Sequence, residues 1–235
     1  MGSVFVGKRG RDQAGSGGNS GSPTVTPSRR IQVVWGSLLA SRTLVAGLLY
    51  GLDRSPAPRL EGVSLPALMA PGGGASIETV FGTRRTLDKA RWQAIVIHHS
   101  DSPSGKPSSL DGAARANGLK ELGYHFVVGN GNGMADGELF VGRRWRDQAP
   151  GAHVAGPNGA WFNEHAVGIC LVGDGDRGNP SPAQLERLEE LAASLCRRLN
   201  IPKERVYLHS ELARTTSPGK LFPATAFREE LAARL

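Results

Sequence analysis

Cysteine is nearly missing from this 235-residue chain, which holds two, Cys170 and Cys196. So few exclude a disulfide scaffold and a multi-cysteine zinc ribbon, and both read as small core hydrophobes. Aromatic residues are scarce at 6%, and acidic residues fall short of basic ones, 21 against 28. That shortfall invites an anionic partner, nucleic acid or a membrane surface. Its placement argues against nucleic acid: 11 basic and 5 acidic residues precede residue 90, and 17 and 16 follow. A nucleic-acid-binding domain concentrates basic side chains on its folded face, whereas here the part that looks folded is nearly neutral. No nucleic-acid partner is expected. Hydrophobic residues at 39% suffice for one core rather than two.

Four segments follow in order. Residues 1–30 form a basic tail, and its 10–28 portion, mostly Gly, Ser, Pro, Thr and Asn, has little to bury and reads as flexible. Residues 31–52 carry Arg42 as their only charge and are long enough to span a bilayer. Arg42 near the centre costs about 2.5–3.5 kcal/mol on insertion scales, which makes a permanent anchor marginal. Ser28-Arg29-Arg30 ahead of this stretch resembles a twin-arginine export signal. Export to the cell envelope or membrane association through 31–52 is therefore expected. The alternative is a soluble, cytoplasmic helix packed on the next domain. Residues 53–90, with Pro56, Pro58, Pro66, Pro71 and Gly72-Gly73-Gly74, read as a linker to a domain at 91–235.

Within that domain, β-branched and aromatic runs predict strands at 93–98, 124–128, 139–145, 166–172 and 205–209. Pro182–Leu199 shows leucines at spacings of three and four, with Ser181 as cap, Pro182 in the first turn and Gln184 completing a capping box. Further helices are expected at 110–122, capped by Ser108 or Ser109, and at 224–235. Strands interleaved with helices imply an α/β fold. The glycine-rich words at 129–133 and 173–178 lack the lysine and strand–turn–helix context of a nucleotide loop and read as turns.

All six histidines lie in this domain, and His98 and His209 end predicted strands, where α/β sheets open onto their crevices. Two such imidazoles and a third polar side chain would suit a catalytic metal, since zinc in such sites takes three protein ligands and keeps one position open. His125 alternates to the opposite side of its strand from Tyr124.

Six words in order then carry a resemblance. They are Ile95-Val96-Ile97-His98-His99-Ser100, Gly123-Tyr124-His125-Phe126-Val127-Val128, Val141-Gly142-Arg143-Arg144-Trp145, Gly151-Ala152-His153, Phe162-Asn163-Glu164-His165-Ala166-Val167-Gly168-Ile169, and His209 with Ser217-Pro218-Gly219-Lys220. Together they resemble the zinc-dependent N-acetylmuramoyl-L-alanine amidases, a family that includes peptidoglycan recognition proteins. The resemblance implies one mixed β-sheet flanked by helices, peptidoglycan or muropeptide as substrate, and one zinc ion. It implies His98, His209 and the place of Ser217 as metal ligands, and Tyr124 and Thr215 beside the reacting carbonyl. Arg143, Trp145, His153 and Asn163 match places where the family lines its glycopeptide groove.

One departure stands out. Active members carry Cys or Asp where this chain has Ser217, and a serine hydroxyl stays neutral and ligates zinc poorly. Members with Ser there are typically recognition proteins that bind peptidoglycan without cleaving it. Glu211, two residues past His209, is a candidate substitute carboxylate if it extends the strand. Amidase activity is the primary expectation, a non-catalytic binding module the alternative. A third reading is an inert domain tethered by its basic tail to a membrane or nucleic acid.

Overall fold

The computed structural model describes residues 62–65 and 76–235. The expected tail at 1–30, the apolar stretch 31–52 and, within 53–90, residues 53–61 and 66–75 lie outside the described residues. Among the described residues, no helix is long and apolar enough to cross a membrane.

The β-branched runs assemble into a single mixed sheet: β1 Val63–Leu65, β2 Ala94–His99, β3 Phe126–Val128, β4 Leu139–Val141, β5 Ala166–Leu171 and β6 Val206–Leu208. Their spatial order is β1-β4-β3-β5-β2-β6. β2 pairs in parallel with β5 and β6, and β5 with β3, while β4 runs antiparallel to β3 and β1. β2 and β5 are buried at every position, which explains their continuous apolar character.

Alternation sorts their side chains. Ile95, Ile97, Val167, Ile169 and Leu171 enter the main core with Leu188, Leu191, Leu195, Phe227 and Leu231. Those leucines belong to α4 Pro182–Leu199 and α5 Ala224–Ala233. α4 follows its sequence signals to the residue: Ser181 Oγ accepts the Gln184 N–H, and Gln184 Oε1 accepts the Ser181 N–H. The opposite face of the sheet carries Ala94, Val96, Ala166 and Cys170, covered by smaller clusters that include Leu110, Leu122 and Phe162. Leu110 lies in α1 Pro107–Ala116, and Phe162 in α3 Gly159–His165.

Several expectations are corrected. The linker at 53–90 is partly built into the domain. Val63–Leu65 pairs with β4, and Ile77 and Val80 of the 3-10 turn Ile77–Phe81 are buried in the main core. The strand expected at 139–145 ends at Val141, and α2 Arg143–Arg146 follows. That single helical turn swings Trp145 into the core, where it is fully buried and its Nε1–H donates to Val80 O at 2.6 Å. Trp145 therefore lines no groove. The helix expected at 110–122 starts earlier, with Lys106 as its N-cap and Ser109 in the third helical position bonding back to Lys106. It ends at Asn117 and Gly118 (φ 85°), after which Asp111 Oδ1 accepts the Leu122 N–H. Helix α3 carried no periodic signal in the sequence.

Candidate active site

The parity that sends Ile95 and Ile97 into the core sends His98 to the other face, near the carboxyl end of β2. β6 pairs with the same strand, with Leu208 opposite Ile97. Its successor His209 opens a 3-10 turn, His209–Glu211, so parallel pairing brings the two strand-end histidines together. Their ring centroids are 4.3 Å apart. Tyr124, which precedes β3, places its ring 5.1 Å from His98, and His153 arrives from the loop before α3 with its Nδ1 3.0 Å from His98 Nε2. Ser217 joins this group through the backbone: its Oγ accepts the His99 N–H at 3.1 Å and its carbonyl accepts the Ser210 N–H at 2.7 Å.

Burial governs the electrostatics. Desolvation holds His98 and His125 well below the usual imidazole range, with neighbouring histidines adding to the effect. His153 is pushed down to about 3 by burial, and His209 is lowered for the same reason. A buried, neutral His cluster disfavours protons. The Tyr124 hydroxyl is shifted upward by burial and by the adjacent Cys170 thiol, which is itself raised by burial. Tyr124 therefore keeps its proton throughout the neutral range and stays a donor.

These shifts set an acid limit on stability. The histidines are neutral when folded but titrate near 6.5 when unfolded. Below that pH the unfolded state binds protons that the folded state refuses, so stability is lost as pH falls from about 6.5 toward the depressed folded values. His98, His125, His153 and His209 each contribute up to about 1.4 kcal/mol per pH unit in that window. Thermal unfolding followed by circular dichroism should show Tm falling from about pH 7 to pH 5; a flat Tm would contradict it.

The other residues singled out from sequence are placed as follows. Thr215 is exposed, and its Oγ1 accepts the Ser217 N–H at 3.2 Å. Arg143 is accessible, with its Nε 3.0 Å from Glu121 and 3.7 Å from Asp147; such exposed pairs are weak, so a ligand carboxylate can compete for the guanidinium. His153 is buried beneath His98 rather than set in a groove wall. Asn163 faces inward too: its Oδ1 accepts the N–H groups of His153 and Val154, and its Nδ2 donates to Val154 O. It clamps the loop that carries His153 and is not a groove residue. Glu211 turns away from strand geometry, bonding Leu208 N–H and pairing with Arg228, so it supplies no carboxylate to the cluster. His125 is a buried structural residue, its Nδ1 accepting the Gly168 N–H and its Nε2 lying 3.1 Å from Ala149 O. Cys170 and Cys196 are both buried and unbridged; Cys170 touching Tyr124 went unnoticed in the sequence, where only its apolar neighbours were visible.

Whether these side chains suit a metal can be judged from their donors. His209 Nε2 is buried and has no hydrogen-bond partner, an unsatisfied position costing about 1–3 kcal/mol if left so. Two converging neutral imidazoles fit zinc. The third donor is a neutral hydroxyl, and among the described residues no three His, Cys, Asp or Glu side chains are disposed to hold a metal ion. The fit to zinc is thus partial: the two histidines suit it, while the Ser217 hydroxyl, which accepts the His99 N–H, brings no charge.

Comparison with known proteins places this site in context. A family model described as N-acetylmuramoyl-L-alanine amidase matches residues 88–220. The endolysin of Klebsiella phage KP32 is 39% identical over 84 residues, covering 33% of this chain and 47% of that protein. The endolysin of Enterobacteria phage T3 is 31% identical over 118 residues, 46% of this chain and 68% of that protein. The chain thus spans about half of the first relative's length and about two thirds of the second's. Among solved structures, the endolysin amidase LysCS from Clostridium intestinale URNW aligns with a TM-score of 0.52 and 27% identity, covering 60% of this chain and 84% of that one.

Proposed function

We propose a peptidoglycan-cleaving role for this chain, which belongs to the N-acetylmuramoyl-L-alanine amidase family by a match running from residue 88 to residue 220. The bond cleaved is the amide between N-acetylmuramic acid and L-alanine, in peptidoglycan or in muropeptides. The observation that carries this reading is the convergence of His98 and His209, ring centroids 4.3 Å apart, beside a buried, partnerless His209 Nε2. His98 and His209 would hold zinc, with Ser217 in the third place. When bound, zinc supplies Lewis acidity to the scissile carbonyl and the attacking water. Tyr124, protonated throughout the neutral range, donates to the amide oxygen as negative charge develops there. Thr215 faces solvent with its oxygen already accepting the Ser217 N–H, which leaves its own proton for a substrate oxygen. Arg143 offers a guanidinium to a stem-peptide carboxylate. Peptidoglycan lies outside the cytoplasm, and the apolar stretch 31–52, with Arg29 and Arg30 ahead of it, would serve delivery there.

The test is digestion of purified peptidoglycan by the full chain, with metal content measured on the same sample. Stem peptides with a free L-alanine amine should be released, and about one zinc retained. Tyr124→Phe should lower kcat by about a hundredfold while leaving KM and metal content nearly unchanged. An unaltered kcat would remove Tyr124 from the chemistry.

A second reading rests on Ser217. Its hydroxyl brings no charge and already accepts the His99 N–H, which favours a module that binds peptidoglycan without cutting it. Retention on insoluble peptidoglycan with neither zinc nor peptide release would establish that reading in place of the first.

A further inference from the structure

His153 stands apart from the direct chemistry, yet its contacts determine what His98 can do. Its Nε2 lies 3.3 Å from Ala166 O, and its Nδ1 lies 3.0 Å from His98 Nε2. A carbonyl only accepts, so the proton of neutral His153 sits on Nε2. The His153 ring is buried against His98 and the Ala166 carbonyl, where a second proton would be an unpaired buried charge, so Nδ1 carries a lone pair. His98 Nε2 must then be the donor. The opposite arrangement would turn a lone pair of His153 toward the lone pairs of Ala166 O.

We propose that His153 is a positioning residue that fixes the tautomer of His98, with the proton on His98 Nε2 and the lone pair of His98 Nδ1 presented to the site. The inference rests on the assignment of His98 as a metal ligand, and deepens it by naming the nitrogen that coordinates. A metal-ligating histidine usually donates its other N–H to a carboxylate, carbonyl or water; here the acceptor is a second imidazole, itself anchored on a β5 carbonyl.

The His153 ring is held too firmly for this contact to be incidental. A Cβ at Gly168 of β5 would lie 2.5 Å from His153 Cδ2, and one at Gly151 would overlap the same ring. The imidazole thus lies against backbone that no other residue type would leave open. Asn163 completes the seat by accepting the backbone N–H groups of His153 and Val154 at 2.8 and 2.9 Å. The glycines, the asparagine and the carbonyl together determine where Nδ1 points.

Long-range proton–nitrogen NMR of the metal-free full chain tests this directly. His98 should show a protonated, slowly exchanging Nε2 and an unprotonated Nδ1. His153→Leu should abolish that protected proton and weaken zinc binding by about 10–100-fold. His153→Asn places an acceptor oxygen where Nδ1 stands; it should keep both the His98 proton and near-wild-type zinc affinity, a rescue that guards against a merely misfolded leucine variant. Protonation of His98 at Nδ1 in the wild type would overturn the inference, as would a folded His153→Leu protein with unchanged His98 signals and zinc affinity. Failure of the wild type to take up zinc would instead defeat the metal assignment, while the NMR result would still decide the tautomer.

Discussion

Ser217→Cys should tighten zinc binding by about a hundredfold or more and raise the rate of stem-peptide release with it. Loss of an outer partner of a metal ligand typically costs 10–100-fold in affinity, roughly 1.4–2.7 kcal/mol, and the nature of a direct ligand matters at least as much. A thiolate carries the negative charge that a hydroxyl lacks and is a preferred zinc donor. The site is prepared for it. Ser217 is buried, and its Oγ accepts the His99 N–H at 3.1 Å, a bond that a thiolate would accept and that would favour the deprotonated form. The neighbouring imidazoles are neutral and contribute no charge of their own, so the charge added to the metal's surroundings is the thiolate's. Competition titration with a chelator measures the affinity, and chromatography of muropeptide digests measures the rate. If metal retention stays at the wild-type level, Ser217 is not the third ligand. If zinc binds tightly but no peptide is released, the ligand set is right and the missing element lies with Tyr124 or Thr215.

The parts of the molecule legible in the sequence are those fixed locally. Helix α4 begins and ends where Ser181, Pro182, Gln184 and Leu199 say it should, because a capping box and a 3.6-residue apolar period act within one turn of the chain. Strand β2 was legible for a similar reason, as a short run of β-branched residues. Strand β1 was hidden in a Pro- and Gly-rich stretch because it exists only through pairing with β4, Ser64 opposite Phe140, and such long-range pairing leaves no local trace. Trp145 was misplaced because nothing in Arg-Arg-Trp-Arg distinguishes a continuing strand from one helical turn; burial of its ring against Trp92 and Phe126 decides the matter. His98 and His209 were found because both follow strand-like runs. The roles of His153 and Asn163 were not, since each depends on a partner in another element: His98, 55 residues away, for the one, and the backbone of the His153 loop for the other.

Gly175→Ala should destabilise the domain by about 3 kcal/mol, the upper end for overpacking, or roughly 6–12 °C in Tm for a protein of this size. The loop after β5 and the loop carrying Ser217 touch through bare backbone. A Cβ at Gly175 would overlap Pro218 O and come within 3.0 Å of Gly219 Cα, and neither atom belongs to a side chain that could rotate away. Hydrogen bonds lace the same two loops to each other and to the end of β2. Gly175 N–H donates to His99 Nδ1 at 2.9 Å, Leu221 N–H to Gly175 O at 2.9 Å, and Lys220 N–H to Asp176 Oδ1 at 2.9 Å. Thr216 Oγ1 donates to Asp176 Oδ2 at 2.5 Å. Forcing Pro218 outward drags Ser217 from the His99 N–H and so dismantles the third side of the His98–His209 cluster. The substitution should therefore cancel the zinc affinity gained by Ser217→Cys when the two are combined, beyond what its effect on folding explains. Gly178→Ala is the control: it lies in the same loop, and its Cβ would meet nothing within 4 Å, so Tm and metal binding should stay near wild type. Thermal unfolding and zinc titration of the two alanine variants decide the matter. Equal behaviour would mean that contact between these loops does not hold Ser217 in place.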